Sequence, residues 1–296
     1  MNDSRIKVSA HLPWIVCLCG SLFFFYEFIQ MNMLNSLGSY LIQEFHMNAT
    51  QLGLLSAWYF YANLMCIPIA GVLLDRISTR LIILTAMFIC TLGTFLFSCA
   101  NTLILLKLCR FFTGMGSAFC LLSAIRLASR WFEPRQMALI TGLIVTMAML
   151  GGVVAQTPLT LLAESLNWRW ALKCDAALGL IIIFLIYYYV SDYPAGTEDH
   201  FYQEQEDLKA IGFWRAKKIA FLNYYNWLTG LFTCFLNLPI SILGALWGNM
   251  YLQTAYHFSA TQASYITSMI FLGTVIGSPA AGWISDKIGL RKLPMM

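Results

Sequence analysis

Long apolar runs, separated by short polar loops, dominate this sequence. Hydrophobic residues make up 59% of the chain and charged residues 11%, and the charged residues cluster between the runs. A helix needs about 20 consecutive apolar residues to cross a bilayer. Residues 81–92 are apolar all round, which excludes the amphipathic helices of a soluble protein. We therefore predict an all-α integral membrane protein with eight spans, at residues 13–41, 51–74, 81–99, 102–130, 137–162, 168–191, 222–250 and 261–284.

A ten-residue motif occurs twice, each time at the end of an apolar run. Residues 71–80 read GVLLDRISTR, and residues 282–291 read GWISDKIGLR. Each copy begins with Gly, has Asp four residues later, continues with a basic residue and ends in Arg. An internal repeat of this kind predicts two related halves. That organisation is typical of secondary transporters.

The basic residues predict the orientation in the membrane. Most of the 18 Lys and Arg residues fall in loops on the side of the N-terminus, beginning with Arg5 and Lys7. The opposite loops at 42–50 and 251–260 contain neither residue type. Positive loops stay in the cytoplasm, so we expect a cytoplasmic N-terminus in a bacterial inner membrane. The net charge of +4 is explained by this bias, and we expect membrane lipid but no nucleic acid as a partner.

Three motifs together resemble the major facilitator superfamily. The loop after span two is similar to its Gly-x-Leu-x-Asp-Arg-x-Gly-x-Arg signature, the second copy of the motif repeats that loop, and residues 110–118 of span four are similar to its Arg-x-x-x-Gly-x-Gly-x-Ala. More narrowly, several short stretches resemble a bacterial subgroup related to lysosomal small-peptide carriers. They are residues 25–28, 116–119, 131–132 and 246–248.

The resemblance implies a fold of 12 spans in two halves. On this basis residues 1–191 form the N-terminal six-helix bundle, residues 192–221 a cytoplasmic connector, and residues 222–296 the first two helices of the second bundle. We expect the sequence to be a fragment or a truncated reading frame, about four spans short, and the intact protein to be a monomer. The basic end of the connector is either an amphipathic helix on the inner membrane surface or a solvated linker.

Span five departs from a pattern that drug/proton antiporters of the family carry. Gly142 and Gly151 match the pattern, but the residues that follow do not supply its Gly-Pro step. The positions of Gly, Pro and the last Gly are occupied by Ala155, Gln156 and Leu159. A Gly-Pro step bends a helix, and its absence favours uptake over export by antiport.

A polar patch lies in the middle of span one. Tyr26, Glu27 and Gln30 follow a run of phenylalanines, and Glu27 falls near the bilayer midplane. Ionisable groups at that depth are rare and usually functional. We predict that Glu27 binds a proton or a substrate amine. The alternative is a structural Glu that is hydrogen-bonded to a neighbouring helix.

Other intramembrane polar residues are candidates for the same site. Arg110 lies about 12 Å from the outer surface, at 1.5 Å per residue, and the resemblance implies a role in proton coupling or anion attraction. Asp175 falls at similar depth, so the alternative role is an ion pair between them. Arg126 lies about one turn from the inner end, where it reaches the surface by snorkelling. The second half contributes Asn237, Trp247 and Asn249 as candidate cavity residues.

The repeated motif predicts a gate at the cytoplasmic ends of the helices. In the first copy the gate residues are Gly71, Asp75, Arg76 and Arg80, with Arg130 and Glu133 as partners beyond span four. In the second copy they are Gly282, Asp286, Lys287 and Arg291. A purely topological role for the bases is the alternative, but it leaves the recurring Asp unexplained.

An enzyme and a non-transporting membrane protein are two other classes of function. The sequence has no catalytic or metal-binding motif within its spans, so we expect neither an enzyme nor a cofactor. A non-transporting receptor or scaffold is compatible with the pattern. We predict a proton-coupled carrier of a small polar organic solute, with amino acids or short peptides favoured. A siderophore or drug exporter is the second prediction.

Overall fold

The computed structural model describes residues 11–194, 218 and 221–288. Within these residues it contains eight helical spans that are long and apolar enough to cross a membrane. The all-α prediction is confirmed, and the bounds agree with the predicted ones to within a few residues. The spans are Leu12–Phe45, Ala49–Arg76, Thr79–Ser98, Leu103–Trp131, Pro134–Leu166, Trp168–Tyr189, Tyr224–Tyr256 and Ala260–Ile288.

Several helix ends are closed by polar side chains. Asn48 and Gln51 form a reciprocal capping box at the start of span two. Ser78 and Thr102 accept hydrogen bonds from backbone N–H groups at the starts of spans three and four. These side chains satisfy donors that a helix leaves unpaired in its first turn. Asn48, Ser78 and Thr102 lie in the short loops before these spans, which explains the sharp helix boundaries.

Span four is broken at Ala118 and Phe119 into helices Leu103–Ser117 and Cys120–Trp131. The break follows two glycines at which span four approaches its neighbours closely. A Cβ atom on Gly114 would overlap the Tyr59 carbonyl of span two, and one on Gly116 would lie 2.6 Å from the Ala86 carbonyl of span three. The motif at 110–118 is therefore a packing motif as well as a sequence signature.

Span seven is also irregular. Its helices Tyr224–Pro239 and Gly248–Tyr256 are joined by a wider π-helical segment, Ile240–Trp247. Pro239 stands at the start of this segment. A proline inside a helix removes one donor and displaces the carbonyl a turn before it, which accounts for the local change in winding.

Spans one and five are the centre of the bundle. Span five packs most extensively against span eight and against span one, and span one also contacts the π-helical segment of span seven. A Cβ on Gly151 of span five would overlap the Phe25 carbonyl of span one. The two halves therefore meet along spans one, five, seven and eight. The division at residues 191 and 221 stays a prediction, because 195–217 and 219–220 of the connector lie outside the described residues.

Candidate functional site

Glu27 is buried and held from two neighbouring spans. The Tyr59 hydroxyl of span two donates a hydrogen bond to Glu27 Oε1. The guanidinium of Arg110, from span four, lies 4.5 Å from the centroid of the Tyr59 ring. Arg110 also interacts electrostatically with Glu27. Tyr59 thus connects the predicted acid to the predicted base, and no motif had indicated it, since an aromatic residue in an apolar run is usually a packing residue.

Arg110 and Asp175 do not form the ion pair that their similar depth suggested. Arg110 Nη1 donates to the backbone carbonyl of Gln30 at 2.6 Å, and the Gln30 side-chain amide donates to Asp175 Oδ2 at 2.6 Å. Thr94 completes the group by donating to Gln30 Oε1 at 2.7 Å. Gln30 therefore lies between the two charged side chains. The similar depth of Arg110 and Asp175 in the membrane does not reveal this.

The predicted polar patch of span one faces two directions. Gln30 and Tyr26 are four residues apart and lie on one side, towards Thr94 and Gly179 of spans three and six. Glu27 lies on the other side, towards spans two and four. Successive helix residues are rotated by about 100°, whereas residues four apart share a face. The structure therefore brings Glu27 together with Arg110 and separates it from Tyr26.

A cavity of about 370 Å³ adjoins Glu27 and Tyr59. Spans one, two and four line it with mostly apolar side chains, and Asn63 and Ser117 add a polar pair joined by a 2.6 Å hydrogen bond. Phe24, Phe28, Met31, Phe60 and Leu121 are among the apolar lining residues. Small-molecule sites are typically apolar cavities with a few fixed polar groups. This cavity has that character.

The guanidinium of Arg110 is only partly satisfied. Its side chain is fully buried, and Nε and Nη2 have no hydrogen-bond partner among the described residues. A buried cation requires compensation by charge and by hydrogen bonds. The Gln30 carbonyl, the Tyr59 ring and the Glu27 carboxylate supply part of it, which leaves two donors available to a further acceptor.

The two candidates from span seven lie away from this site. Asn237 is exposed and donates to the Thr233 carbonyl of its own helix at 2.9 Å. Trp247 is half-buried at the end of the π-helical segment, beside Gly53 of span two. Neither residue lines the cavity beside Glu27. Asn249, in contrast, is buried against spans one and five.

At the predicted inner end, Asp75 pairs with Arg126. The two side chains form an ion pair between spans two and four. The sequence had assigned Arg130 and Glu133 as partners of the first motif and Arg126 to the membrane surface. Glu133 is exposed, and its side chain contacts no base of the motif among the described residues. Arg126 pairs with Asp75 in place of Arg130 because it lies one helical turn closer to Asp75 along span four.

Arg80 and Arg130 lie instead around Asp192, three residues after the end of span six. Asp192 accepts hydrogen bonds from the Ser78 hydroxyl and from the Arg80 backbone N–H, the latter at 2.8 Å. Arg130 lies 3.8 Å from the same carboxylate and donates to Thr79 Oγ1 at 2.9 Å. Asp192 thus fixes the start of span three to the end of span six. No sequence motif indicates a role for Asp192 beyond the connector.

The remaining residues of the first motif differ in their surroundings. Arg76 is exposed at the end of span two. A Cβ on Gly71 would have open space around it among the described residues. The guanidinium of Arg80 also donates to the Tyr187 carbonyl and lies over the Tyr187 ring.

The second copy of the motif contacts the other half directly. Asp286 Oδ2 accepts a 2.7 Å hydrogen bond from the Leu139 backbone N–H at the start of span five. A Cβ on Gly282 would lie 2.5 Å from the Ala138 carbonyl, so only glycine fits there without displacing span five. Lys287 is exposed, with its ammonium 4.8 Å from the Trp283 ring centroid. Arg291 lies outside the described residues.

The described residues contain no group of three or more His, Cys, Asp or Glu side chains arranged to hold a metal ion.

Comparison with known proteins identifies the family to which the chain belongs. The model of the Major Facilitator Superfamily matches residues 18–296. The chain belongs to the Major Facilitator Superfamily. It is a multi-pass integral membrane protein, and the resemblance seen in its motifs is confirmed.

Individual relatives are distant. A hexuronate transporter of Bacillus subtilis is 24% identical over 265 residues, which cover 88% of this chain and 62% of that protein. The lysosomal dipeptide transporter MFSD1 of Danio rerio is 22% identical over 273 residues, covering 88% of this chain and 59% of that protein. The latter confirms the resemblance to lysosomal small-peptide carriers.

The fold matches a solved structure of the same family. A bacterial homologue of the human lysosomal transporter Spinster, in an inward-facing and occupied conformation, has a TM-score of 0.70 at 18% identity, over 95% of this chain and 63% of that one. The chain spans less than two thirds of the length of both transporters and of this structure.

Proposed function

We propose that the protein is a secondary transporter that moves a small polar organic solute by proton-coupled alternating access, and that Glu27 is its proton-binding group. The observation that carries the proposal is the position of Glu27. The carboxylate lies at mid-span, is held by Tyr59 and adjoins a cavity of about 370 Å³. An acidic group at bilayer depth is costly and therefore rare, and it usually marks a functional site.

The coupling is derived from the shared environment of Glu27 and Arg110. While Glu27 is ionised, it accepts from Tyr59 and balances the buried charge of Arg110. Protonation removes that balancing charge and leaves the guanidinium of Arg110, whose Nε and Nη2 already lack partners among the described residues, with less compensation. Proton binding at Glu27 therefore changes the interactions that hold spans one, two and four together. A change of this kind links proton binding to movement of the helices.

The favoured substrates are amino acids and short peptides. A carboxylate beside a mostly apolar cavity suits a solute with an ammonium group and a hydrophobic side chain. Glu27 provides the charge, and Phe24, Phe28 and Leu121 provide apolar surface. The dipeptide substrate named for the Danio rerio relative agrees with this chemistry. We further propose uptake into the cytoplasm, a cytoplasmic N-terminus and a monomeric whole protein.

A second candidate is transport of an organic acid. Arg110 is the observation that favours it, because Nε and Nη2 of its buried guanidinium have no partner among the described residues. A carboxylate is the natural acceptor for two guanidinium donors. The hexuronate substrate named for the Bacillus subtilis relative is of this class.

Transport by the purified protein in proteoliposomes tests these alternatives. Labelled amino acids, dipeptides and a hexuronate are offered separately, with and without an inward proton gradient. Accumulation of an amine-bearing solute that a protonophore abolishes supports the proposal. Accumulation of the hexuronate alone supports the organic-acid candidate. Proton-driven extrusion of a drug or siderophore supports the exporter alternative, and movement of no solute favours a receptor or scaffold.

A further inference from the structure

A layer of buried amides joins the two halves of the bundle on the side away from the repeated motif. The layer consists of Asn35 of span one, Gln156 of span five, Asn249 of span seven and Thr267 of span eight. Each of these side chains is at most 4% exposed. Asn35 is eight residues beyond Glu27, or about 12 Å further along span one at 1.5 Å per residue. The layer is thus separate from the Glu27 site.

Gln156 is the hub of this amide layer. Its Oε1 accepts from Asn35 Nδ2 at 3.0 Å, from Thr267 Oγ1 at 3.1 Å and from Asn249 Nδ2 at 3.2 Å. Its Nε2 donates to the Gly244 carbonyl at 2.7 Å. One side chain from the first half therefore bonds to both helices of the second half.

Asn35 makes the second set of contacts across the halves. Its Nδ2 also lies 2.9 Å from the Gly244 carbonyl, and its Oδ1 accepts from the Asn249 backbone N–H at 2.9 Å. The Gly244 carbonyl lies within the π-helical segment, and the Asn249 N–H lies in the first turn of the helix that follows it. A change of winding at this place leaves backbone groups without their usual partners. Such segments occur frequently at functional sites. The amide layer satisfies these groups only while spans one, five and seven stay together.

We propose that the amide layer closes the transport path at the end of the bundle opposite Asp75 and Asp286, and that the π-helical segment of span seven is the part that moves when it opens. The inference rests on the proposed transport function. Four spans from both halves meet in this layer, so separation of the halves at this end must break it. Asn35, Gln156, Asn249 and Thr267 are then gating residues that no sequence motif marks.

The uncharged chemistry of the layer suits a closure that opens repeatedly. Neutral amides and hydroxyls satisfy each other when the layer is dry, and water replaces those partners when the layer is wet. Charged groups would bear a larger desolvation penalty at each closing.

Hydrogen–deuterium exchange on the whole chain in lipid nanodiscs tests the proposal. The variants are Asn35→Leu and the smaller change Thr267→Val, which keeps the test valid if Asn35→Leu fails to fold. Asn32→Leu is the matched control. Asn32 is buried in the same span, but its Nδ2 donates to the Phe28 carbonyl of its own helix, and it makes no hydrogen bond to spans seven or eight within the described residues.

We expect residues 240–256 to exchange about tenfold faster in both test variants, since each loses hydrogen bonds across the halves. Residues 240–256 of the Asn32→Leu control should exchange as in the unmodified protein. The segment around Asp75 should do the same in the test variants. Equally faster hydrogen exchange in Asn32→Leu, or faster exchange spread evenly over all spans, overturns the proposal that the amide layer closes the path. Hydrogen–deuterium exchange requires no substrate. If the variants show the expected hydrogen exchange but the protein moves no solute, the transport function is refuted instead.

Discussion

The carboxylate of Asp286 accepts a 2.7 Å hydrogen bond from the Leu139 backbone N–H, at the start of span five. An acidic side chain at a helix N-terminus pairs with an unsatisfied donor and with the positive end of the helix dipole. Asp75 occupies the same place in the first motif but pairs with Arg126 inside the first half. One sequence pattern thus makes an internal ion pair in one copy and a contact between the halves in the other.

Span five therefore holds span eight at both ends. Asp286 contacts its first turn, while Gln156 bonds to Thr267 near the opposite end. Between these points, Gly142 lies close to the Ser278 carbonyl and Thr146 donates to the Val275 carbonyl at 3.3 Å. An alternating-access cycle has to release these contacts at one end while it keeps those at the other.

Glu27→Gln tests the coupling role of the carboxylate. Gln has similar size and hydrogen-bonding capacity but no charge, so it mimics the protonated state permanently. We expect the variant to exchange substrate in counterflow but to lose gradient-driven accumulation and its pH dependence. Both are measured on the same purified protein. Accumulation that remains pH-dependent excludes Glu27 as the coupling residue, whereas loss of folded protein points to a structural role.

Asp75→Asn should leave membrane insertion intact and remove most of the transport, because we propose that its ion pair with Arg126 stabilises closure at the predicted inner end. Arg126→Gln should have the same effect. The double variant should be no worse than either single one, since both changes remove the same interaction. Uptake by matched amounts of protein is measured, with exposed Arg135→Gln as the control. Normal uptake by Asp75→Asn contradicts the gate assignment.

Asp192→Asn should destabilise the junction of spans three and six. The change weakens the acceptor of the Ser78 hydroxyl and the Arg80 backbone N–H, and removes the charge facing Arg130. Loss of a cap of this kind costs about 0.5–2 kcal/mol. Thermal unfolding in detergent measures the loss. The exposed control Glu133→Gln should leave the midpoint of thermal unfolding unchanged. An equal shift of the midpoint in both variants would show that Asp192 does not specifically stabilise the junction of spans three and six.

Gly151→Ala should lower thermal stability, because the new methyl group overlaps the Phe25 carbonyl in the closest approach of spans one and five. Overpacking of this kind costs about 1–3 kcal/mol. Gly230→Ala is the matched control, since a Cβ there has open space and Ala favours the helix by about 1 kcal/mol over Gly. The unfolding midpoint should fall in the first variant and hold or rise in the second. A midpoint that does not fall in Gly151→Ala refutes the tight crossing.

The sequence determined the spans, the repeat and the family. Lipid offers no hydrogen bonds to the backbone, so an apolar run of sufficient length has little choice but to form a helix. Local chemistry also identified Glu27 and Arg110, because an ionised group in such a run is costly wherever the run packs.

The tertiary structure decided which of these groups meet. Arg126 rather than Arg130 reaches Asp75, Gln30 separates Arg110 from Asp175, and Asp192 ties two spans together. Gln156 was visible only as a departure from an antiporter pattern, and Asn35 gave no signal. The role of a neutral amide in an apolar run depends on its hydrogen-bond partners on distant spans. Those partners depend on how each helix is rotated and how far it is shifted along its neighbours, which hydrophobic length alone does not specify.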